Sequence, residues 1–162
     1  MPDEAARARL AAEQAALVRS LVAGAPPPER FDGDRVTATA AALRRKRAGE
    51  VARAWPALAA SLGPDWPGAF LTWATARPKP ATGGALADGL AFATGLGDRV
   101  TGEARVELLA ARARLRAGAG GYAWRRGPFA AAARAPGRVV VVLRRPGGRE
   151  HWLSLPLPGA VR

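Results

Sequence analysis

Side chains that carry chemistry are scarce in this chain of 162 residues. It contains one histidine, His151, one methionine and no cysteine. Ser154 lies three residues after His151, so on a regular strand the two side chains point to opposite faces and cannot form a nucleophile–base pair. A transition-metal site would need carboxylates that the C-terminal region lacks. The glycine run at 118–121 lacks the Lys-Ser/Thr that a phosphate loop requires. We therefore predict a chain that is not an enzyme and that holds no cofactor or metal.

Positive charge is concentrated in the last third of the chain. Residues 108–162 contain eleven of the 25 basic residues and one carboxylate, Glu150, so they supply +10 of the formal net charge of +12. Part of the arginine content is typical of a GC-rich coding background, but that bias does not remove acidic residues from one segment only. The uneven charge therefore predicts a surface that docks something anionic.

A β-hairpin lies within this basic segment. Residues 138–145 are rich in valine, Pro146-Gly147-Gly148 predicts a turn, and residues 150–155 alternate again. An ordinary buried hairpin explains this pattern. The functional alternative is a strand edge that accepts an extended acidic peptide, although arginines beside an edge strand also guard against aggregation. The predicted peptide-binding residues are Arg138, Val140, Val142, Arg144, Arg145 and Arg149.

A nucleic-acid reader is the alternative from another class. The sequence pI is about 11.7, so attraction to phosphates follows from charge alone. Base-specific reading is harder to supply, because asparagine is absent and the one glutamine, Gln14, lies far from the basic segment. Nucleic acid is thus a possible but less favoured partner, bound as by a DNA-binding transcriptional regulator with a basic winged-helix-like region.

Helical patterns fill the first two thirds of the chain. The spacing of apolar residues, glycines and prolines predicts helices over 3–23, 34–54, 56–63, 65–77, 86–96 and 101–117. The glycines at 118–121 then mark a break, followed by a short strand at 122–124, a short helix at 128–134 and the hairpin. The predicted fold class is mostly α, a helical bundle with a small C-terminal α+β winged-helix-like unit. We place a helical docking domain at 1–117 and a hairpin-containing peptide-recognition-like region at 118–162.

Two clusters in the helical part have a structural and a functional interpretation. Trp55, Trp66, Phe70 and Trp73 surround two prolines at helix corners, where large aromatics are usually core but also serve as anchors for a partner. The run Arg44-Arg45-Lys46-Arg47 lies on the second helix, where no more than about two of its members share a face. A solvated face, a protein contact and a phosphate contact remain open for this run.

Composition also indicates the compartment. The first residues are acidic, unlike a secretory signal, and no apolar run approaches the ~20 residues that cross a bilayer. The absence of cysteine excludes a disulfide framework. We expect a soluble cytoplasmic protein without membrane contact.

The stretch from Arg44 to Leu96 resembles a helical domain that is classed as DNA-binding in many bacterial proteins. The resemblance is carried by the basic run, an aromatic-Pro-x-Leu motif, a Leu-Gly pair, two aromatics, an Arg-Pro stop and a Leu-x-x-Gly-x-x-Phe motif. These are Arg44-Arg45-Lys46-Arg47, Trp55-Pro56-Ala57-Leu58, Leu62-Gly63, Phe70, Trp73, Arg77-Pro78, Leu86, Gly89 and Phe92. The family is that of the MbnC-type partner proteins of multinuclear non-heme iron oxidative enzymes. The whole chain is also similar to small actinobacterial proteins encoded beside, or fused to, such enzymes.

The resemblance implies a noncatalytic accessory subunit in the biosynthesis of ribosomally made, modified peptides. Its partners would be a TIM-barrel iron oxidase and a precursor peptide, whose leader lies against a β-strand of a winged-helix-like module. Carried over, the enzyme-docking residues are Trp55, Pro56, Leu58, Phe70 and Trp73, and residues 139–145 fall where a leader-binding strand would lie. The region after Gly121 is short for a complete recognition element, which favours enzyme docking over direct leader binding.

Overall fold

The computed structural model describes residues 2–75, 77–118 and 121–158. The chain divides into two compact units, Met1–Gly49 with Pro67–Lys79 and Glu50–Trp66 with Pro80–Arg162. This division differs from the expected boundary at 117/118, because the last helix packs on the C-terminal sheet within the second unit. The mostly helical fold with a small C-terminal antiparallel sheet confirms the predicted fold class.

The helices follow the sequence signals closely. They are α1 (Pro2–Ala23), α2 (Gly33–Ala54), α3 (Pro56–Leu62), α4 (Trp66–Ala74), α5 (Gly84–Leu96) and α6 (Gly102–Arg114), with 3-10 turns at Gly63–Asp65 and Gly97–Arg99. The cap of α2 is Asp32, since one of its carboxylate oxygens accepts hydrogen bonds from the backbone N–H groups of Asp34 and Arg35 at 3.0 and 3.1 Å.

In the first unit, a basic residue of the second helix is buried. Arg47 is only 8% exposed, and its Nη1 donates to the Arg77 carbonyl at 2.6 Å. Its guanidinium lies 5.8 Å from the Phe70 ring centre and 5.9 Å from that of Trp73. This member of the basic run therefore holds the unit together and does not form part of a solvated face.

The C-terminal half of the second unit consists of five strands. They are β1 (Leu115–Gly118), β2 (Gly121–Trp124), β3 (Phe129–Ala135), β4 (Arg138–Arg144) and β5 (Glu150–Pro156). Strands β1 and β2 form a hairpin, and β3-β4-β5 form a three-stranded antiparallel sheet. The predicted short strand at 122–124 is confirmed, whereas the end of the last predicted helix belongs to β1. Residues 119 and 120 of the glycine run lie outside the described residues.

Strand β3 replaces the short helix that was predicted at 128–134. Its sequence is mostly alanine, which favours helix, but all seven of its residues pair with the valine-rich β4. Alternate residues of β3 then face α6: Phe129, Ala131 and Ala133 pack against a buried cluster of Leu109, Ala113, Val140 and Val142. Tertiary pairing and burial override local helix propensity here.

Candidate peptide-binding cleft and sheet edges

Strand β4, which the sequence indicated as the peptide-accepting strand, lies in the middle of its sheet. It pairs with β3 on one side and with β5 on the other along its whole length. Its backbone is therefore unavailable to an added strand, and the expectation of a binding edge at 139–145 is wrong. Val140 and Val142 are buried in the core beneath α6, so they belong to packing and not to a contact surface.

Two of the predicted peptide-binding arginines are engaged by partners within the protein. Arg138 donates to both carboxylate oxygens of Glu103 at 2.9 and 2.8 Å. Arg144, whose side chain is 15% exposed, donates to Glu150 at 2.7 Å and to the backbone carbonyls of Gly148 and Arg125 at 3.1 Å each. Arg145 and Arg149, by contrast, are exposed at the β4–β5 turn. Of the predicted arginines, these two remain candidates for contact with a ligand.

The free edges of the sheet are those of β3 and β5. At the β4–β5 turn the Arg145 N–H donates to the Arg149 carbonyl at 3.0 Å, and beyond the strand end the Leu157 N–H donates to the Gly137 carbonyl at 2.9 Å. Because hydrogen-bonded and non-bonded pairs alternate in antiparallel sheets, every second residue of each outer strand directs its backbone groups outward. In β5 these are Glu150, Trp152, Ser154 and Pro156, and in β3 they are Ala130, Ala132 and Arg134.

A cleft of about 520 Å³ runs beside β3 in the second unit. One wall is β3 itself, and the others are α6, the end of α5 and the segment that follows it. The side chains along β3 are mostly alanine, so the strand leaves room for an incoming chain. The lining residues are Ala93, Thr94, Gly97, Asp98, Val100, Arg105, Leu108, Leu109, Arg112, Phe129, Ala131, Ala132, Ala133 and Arg134.

The cleft is cationic. Three arginines and one carboxylate, Asp98, line it. The Arg105 Nε donates to the Val100 carbonyl at 2.7 Å, which fixes that side chain in the wall. Arg112 is exposed, so its guanidinium group can reach a bound ligand, whereas the Arg134 side chain leaves β3 on the face away from α6. The cleft therefore favours an acidic ligand that is extended along β3.

Near this cleft, burial raises the pKa of the Tyr122 phenol above its ordinary value of 10.0, and the charge of Arg112 partly opposes that shift. The phenol is accordingly protonated at neutral pH and retains its hydrogen-bond donor. Asp88 acts in the same direction as burial on this pKa.

A second cationic patch lies on the β1–β2 hairpin. Trp124 is 56% exposed, and it borders a shallow pocket with Arg116 and Arg126. These residues were not among those predicted from the sequence. An exposed indole between two arginines was nevertheless a readable signal for contact with a planar or anionic group.

Most of the expected enzyme-docking residues lie in the interior. Trp55, Leu58 and Phe70 are fully buried, so for them the core interpretation is correct and the docking assignment is wrong. Trp73 is half-buried, with the Arg77 guanidinium 5.4 Å from its ring centre. Pro56 is exposed at the start of α3.

The buried residues of the two motifs pack against one another within the second unit. The Trp55 indole lies against Gly89 so closely that a Cβ there would overlap the ring, and its Nε1 donates to the Leu86 carbonyl at 3.2 Å. Phe92, one turn further along α5, meets Trp66 edge-on with the ring centres 5.5 Å apart. The aromatic-Pro-x-Leu and Leu-x-x-Gly-x-x-Phe motifs therefore specify how α5 packs.

Neither a metal site nor a membrane span is found in the described ranges. The residues at 2–75, 77–118 and 121–158 contain no group of three or more His, Cys, Asp or Glu placed to hold a metal ion. None of the described helices combines the length and apolar character that a bilayer-crossing segment requires.

The fold and these sites define a mostly helical protein whose second unit contains a small antiparallel sheet and a cationic cleft. Residues 11–98 match the model of the family described as SCO6045-like, C-terminal domain, and the chain belongs to that family. A curated relative from Streptomyces avermitilis, described as "UPF0276 protein", is 44% identical over 115 residues, which are 71% of this chain. The chain spans about a fifth of that relative, 22% of its length. No solved structure matches the chain.

Proposed function

We propose that the protein is a noncatalytic partner subunit that docks on an iron-dependent peptide-modifying oxidase and presents its ribosomally made precursor peptide. The observation that carries the proposal is the free edge of β3 beside a cationic cleft. An extended peptide would add to this edge as a fourth strand and lay its acidic side chains toward the arginines.

The peptide's backbone would be held by the outward groups of Ala130, Ala132 and Arg134, each of which offers one N–H and one C=O. Its alternate side chains would enter the cleft between β3 and α6. There Arg112 would pair with carboxylates of the peptide, the role that the sequence predicted for arginines on β4. The mode of binding thus stays as predicted, while the strand that receives the peptide is β3.

The Streptomyces relative supports a role beside a larger protein. The matched segment is 22% of that polypeptide, so most of the relative lies outside the part that resembles this chain. A domain that shares a polypeptide with a larger region is well placed to deliver a substrate to it. The chain also resembles proteins that are fused to iron oxidases, as described above. In our proposal, the part of the Streptomyces relative outside the matched segment is therefore the oxidase.

A proline in the edge strand tests peptide binding. Ala132→Pro removes an outward N–H without breaking a bond to β4, because edge strands tolerate proline at such positions. We expect the affinity for a synthetic acidic leader peptide to fall about tenfold or more, measured by fluorescence anisotropy. Arg112→Glu should weaken the same binding and reduce its dependence on salt.

Ser154→Pro is the matched control, because Ser154 directs its N–H outward from the opposite edge, β5. This variant should bind the peptide as the wild type does. Equal loss in both proline variants would indicate general damage to the sheet, and no loss in Ala132→Pro would contradict peptide addition at β3. Docking is tested separately, by co-purification of the chain with the co-expressed oxidase.

A DNA-binding regulator remains the second candidate, and the Trp124 patch is the observation that favours it. An exposed indole flanked by arginines can stack on a base while the cations contact phosphates. This function predicts that Trp124→Ala weakens binding to a DNA oligonucleotide about tenfold. It also predicts that affinity falls steeply with salt and differs between sequences. If Trp124→Ala and the wild type bind equally well, and if all DNA sequences are bound with the same affinity, the binding would reflect net charge alone.

A further inference from the structure

The three-stranded sheet has two faces, and α6 packs on one of them. Register places Val140 and Val142 on the face toward α6, together with their partners on β3. The opposite face, here called the outer face, is formed by the intervening residues of all three strands. They are Ala130, Ala132, Arg134, Val139, Val141, Leu143, His151, Leu153 and Leu155.

The outer face is apolar and open. Leu143, Leu153 and Leu155 are 43, 52 and 54% exposed. They are neighbours and not scattered residues, because Val139 pairs with Leu155 and Val141 pairs with Leu153 across β4 and β5. The solvent-facing side of an antiparallel sheet is usually polar. A contiguous exposed aliphatic surface on a sheet is therefore typical of an interaction site.

Positive charge borders this aliphatic centre. Arg134 lies at one side on β3, and the pair Arg145 and Arg149 continues the same face at the turn. No carboxylate lies on the outer face of the described strands, since Glu150 projects from the other face and pairs with Arg144 and Arg114. A partner surface that complements the outer face would therefore present an acidic rim around an apolar centre.

We propose that the outer face is the surface by which this chain docks on a folded protein partner that presents apolar side chains bordered by carboxylates. The identity of that partner as the oxidase rests on the proposed function. The face itself supplies what the buried residues Trp55, Leu58 and Phe70 cannot, namely accessible apolar area. Peptide and enzyme would then use different parts of one sheet: the β3 edge for the peptide and the outer face for the enzyme.

Other kinds of partner fit the outer face less well. A second copy stacked face to face would bring Arg134, Arg145 and Arg149 of both chains together without carboxylates to neutralise them. A membrane surface would attract the arginines, but the outer face carries no tryptophan or tyrosine, the residues that favour the bilayer interface. Nucleic acid would leave the leucines and valines against a charged backbone.

The first test compares two leucines of equal exposure. Leu155 on the outer face and Leu10 on α1 are both 54% exposed, so Leu155→Glu and Leu10→Glu make the same chemical change at equally open positions. We expect Leu155→Glu to weaken the complex with the co-expressed oxidase about tenfold or more. Leu10→Glu should leave that complex unchanged. Circular dichroism and peptide binding of Leu155→Glu should match the wild type.

The second test identifies the occupant without assuming it. A photo-crosslinking amino acid at Leu153, in the full chain expressed in its native host, should join the outer face to one folded protein. Mass spectrometry should place the adduct on a surface of apolar side chains bordered by Asp or Glu, and Leu155→Glu should abolish it. The same probe at Lys79 should not form this adduct.

The outcomes separate this inference from the proposed function. An adduct with an acidic-rimmed protein other than the oxidase would support the docking face and overturn the oxidase as its partner. An adduct only with a second copy, or binding only to vesicles of anionic phospholipid, would overturn the docking inference. Equal binding by Leu155→Glu and wild type would overturn it as well, even if Ala132→Pro still abolished peptide binding.

Discussion

At the scale of single residues, Gly89 is a position where the fold leaves no room for a larger side chain. The Trp55 indole occupies the space where a Cβ would project, and the indole is held by its hydrogen bond to the Leu86 carbonyl. In an open helix, replacing glycine by alanine stabilises by up to about 1 kcal/mol. At Gly89 overpacking opposes that gain, because neither the fully buried ring nor the helix can move freely.

We therefore predict that Gly89→Ala lowers the free energy of unfolding by about 1–3 kcal/mol, measured by urea denaturation. Gly68→Ala is the control. Gly68 also lies in a helix, but a Cβ added there would meet no other atom within 4 Å. That variant should be as stable as the wild type or slightly more stable. A neutral result at Gly89 would show that the indole can shift.

At the scale of elements, α3 depends on a carboxylate from another helix. Glu107 of α6 accepts hydrogen bonds from the backbone N–H groups of Ala57 and Leu58, both at 2.8 Å. These are donors of the first turn of α3, which no side chain of α3 itself satisfies. The negative charge also opposes the positive end of the helix dipole. One residue thus joins α6 to the aromatic-Pro-x-Leu motif.

Glu107→Ala should cost about 2 kcal/mol of stability, because two backbone donors lose a charged acceptor. Glu107→Gln should cost less, since one acceptor oxygen remains. Glu103→Ala, in the same helix, removes an exposed ion pair with Arg138 and should cost no more than about 1 kcal/mol. Thermal unfolding of the three variants would rank them, and equal midpoints for Glu107→Ala and Glu103→Ala would contradict the capping role.

The elements also show what the sequence could and could not reveal. Helices α1 to α5, strand β2 and the β4–β5 hairpin are predictable, because apolar spacing and the Gly and Pro signals agree with the final packing. Strand β3 is not, since Pro128 followed by alanines begins a helix equally well. Alanine on both faces of a strand also hides the alternation of its burial.

The position of the candidate site cannot be predicted from the sequence for the same reason. The chemistry of arginines beside a strand edge could be inferred from charge, and the valine run did form a strand. Without β3, however, the sequence predicts β4 as the edge and its nearest arginines as ligand contacts. Arg138 and Arg144 instead pair with Glu103 and Glu150. These pairs depend on the folding of the chain, and no feature of the nearby sequence indicates which carboxylate each arginine will contact.

At the scale of the whole molecule, charge and packing are segregated along the sequence. The near-neutral first two thirds hold the interlocking motifs, and the basic last third holds the β3 wall of the cleft, Trp124 and the outer face. The family match covers residues 11–98 and ends before α6. Membership in the family therefore describes the helical scaffold and part of one wall of the cleft, whereas strand β3, Trp124 and the outer face lie beyond the matched segment.

The fit of Trp55 against Gly89 has a consequence for how such proteins diversify. A bulkier residue at 89 is compatible only with a smaller one at 55, so we expect the two positions to covary when homologues are compared. The strands that follow are free of that constraint on their outward residues. Relatives can thus keep one scaffold while exchanging ligands, and a shared motif is poor grounds for assigning a shared substrate.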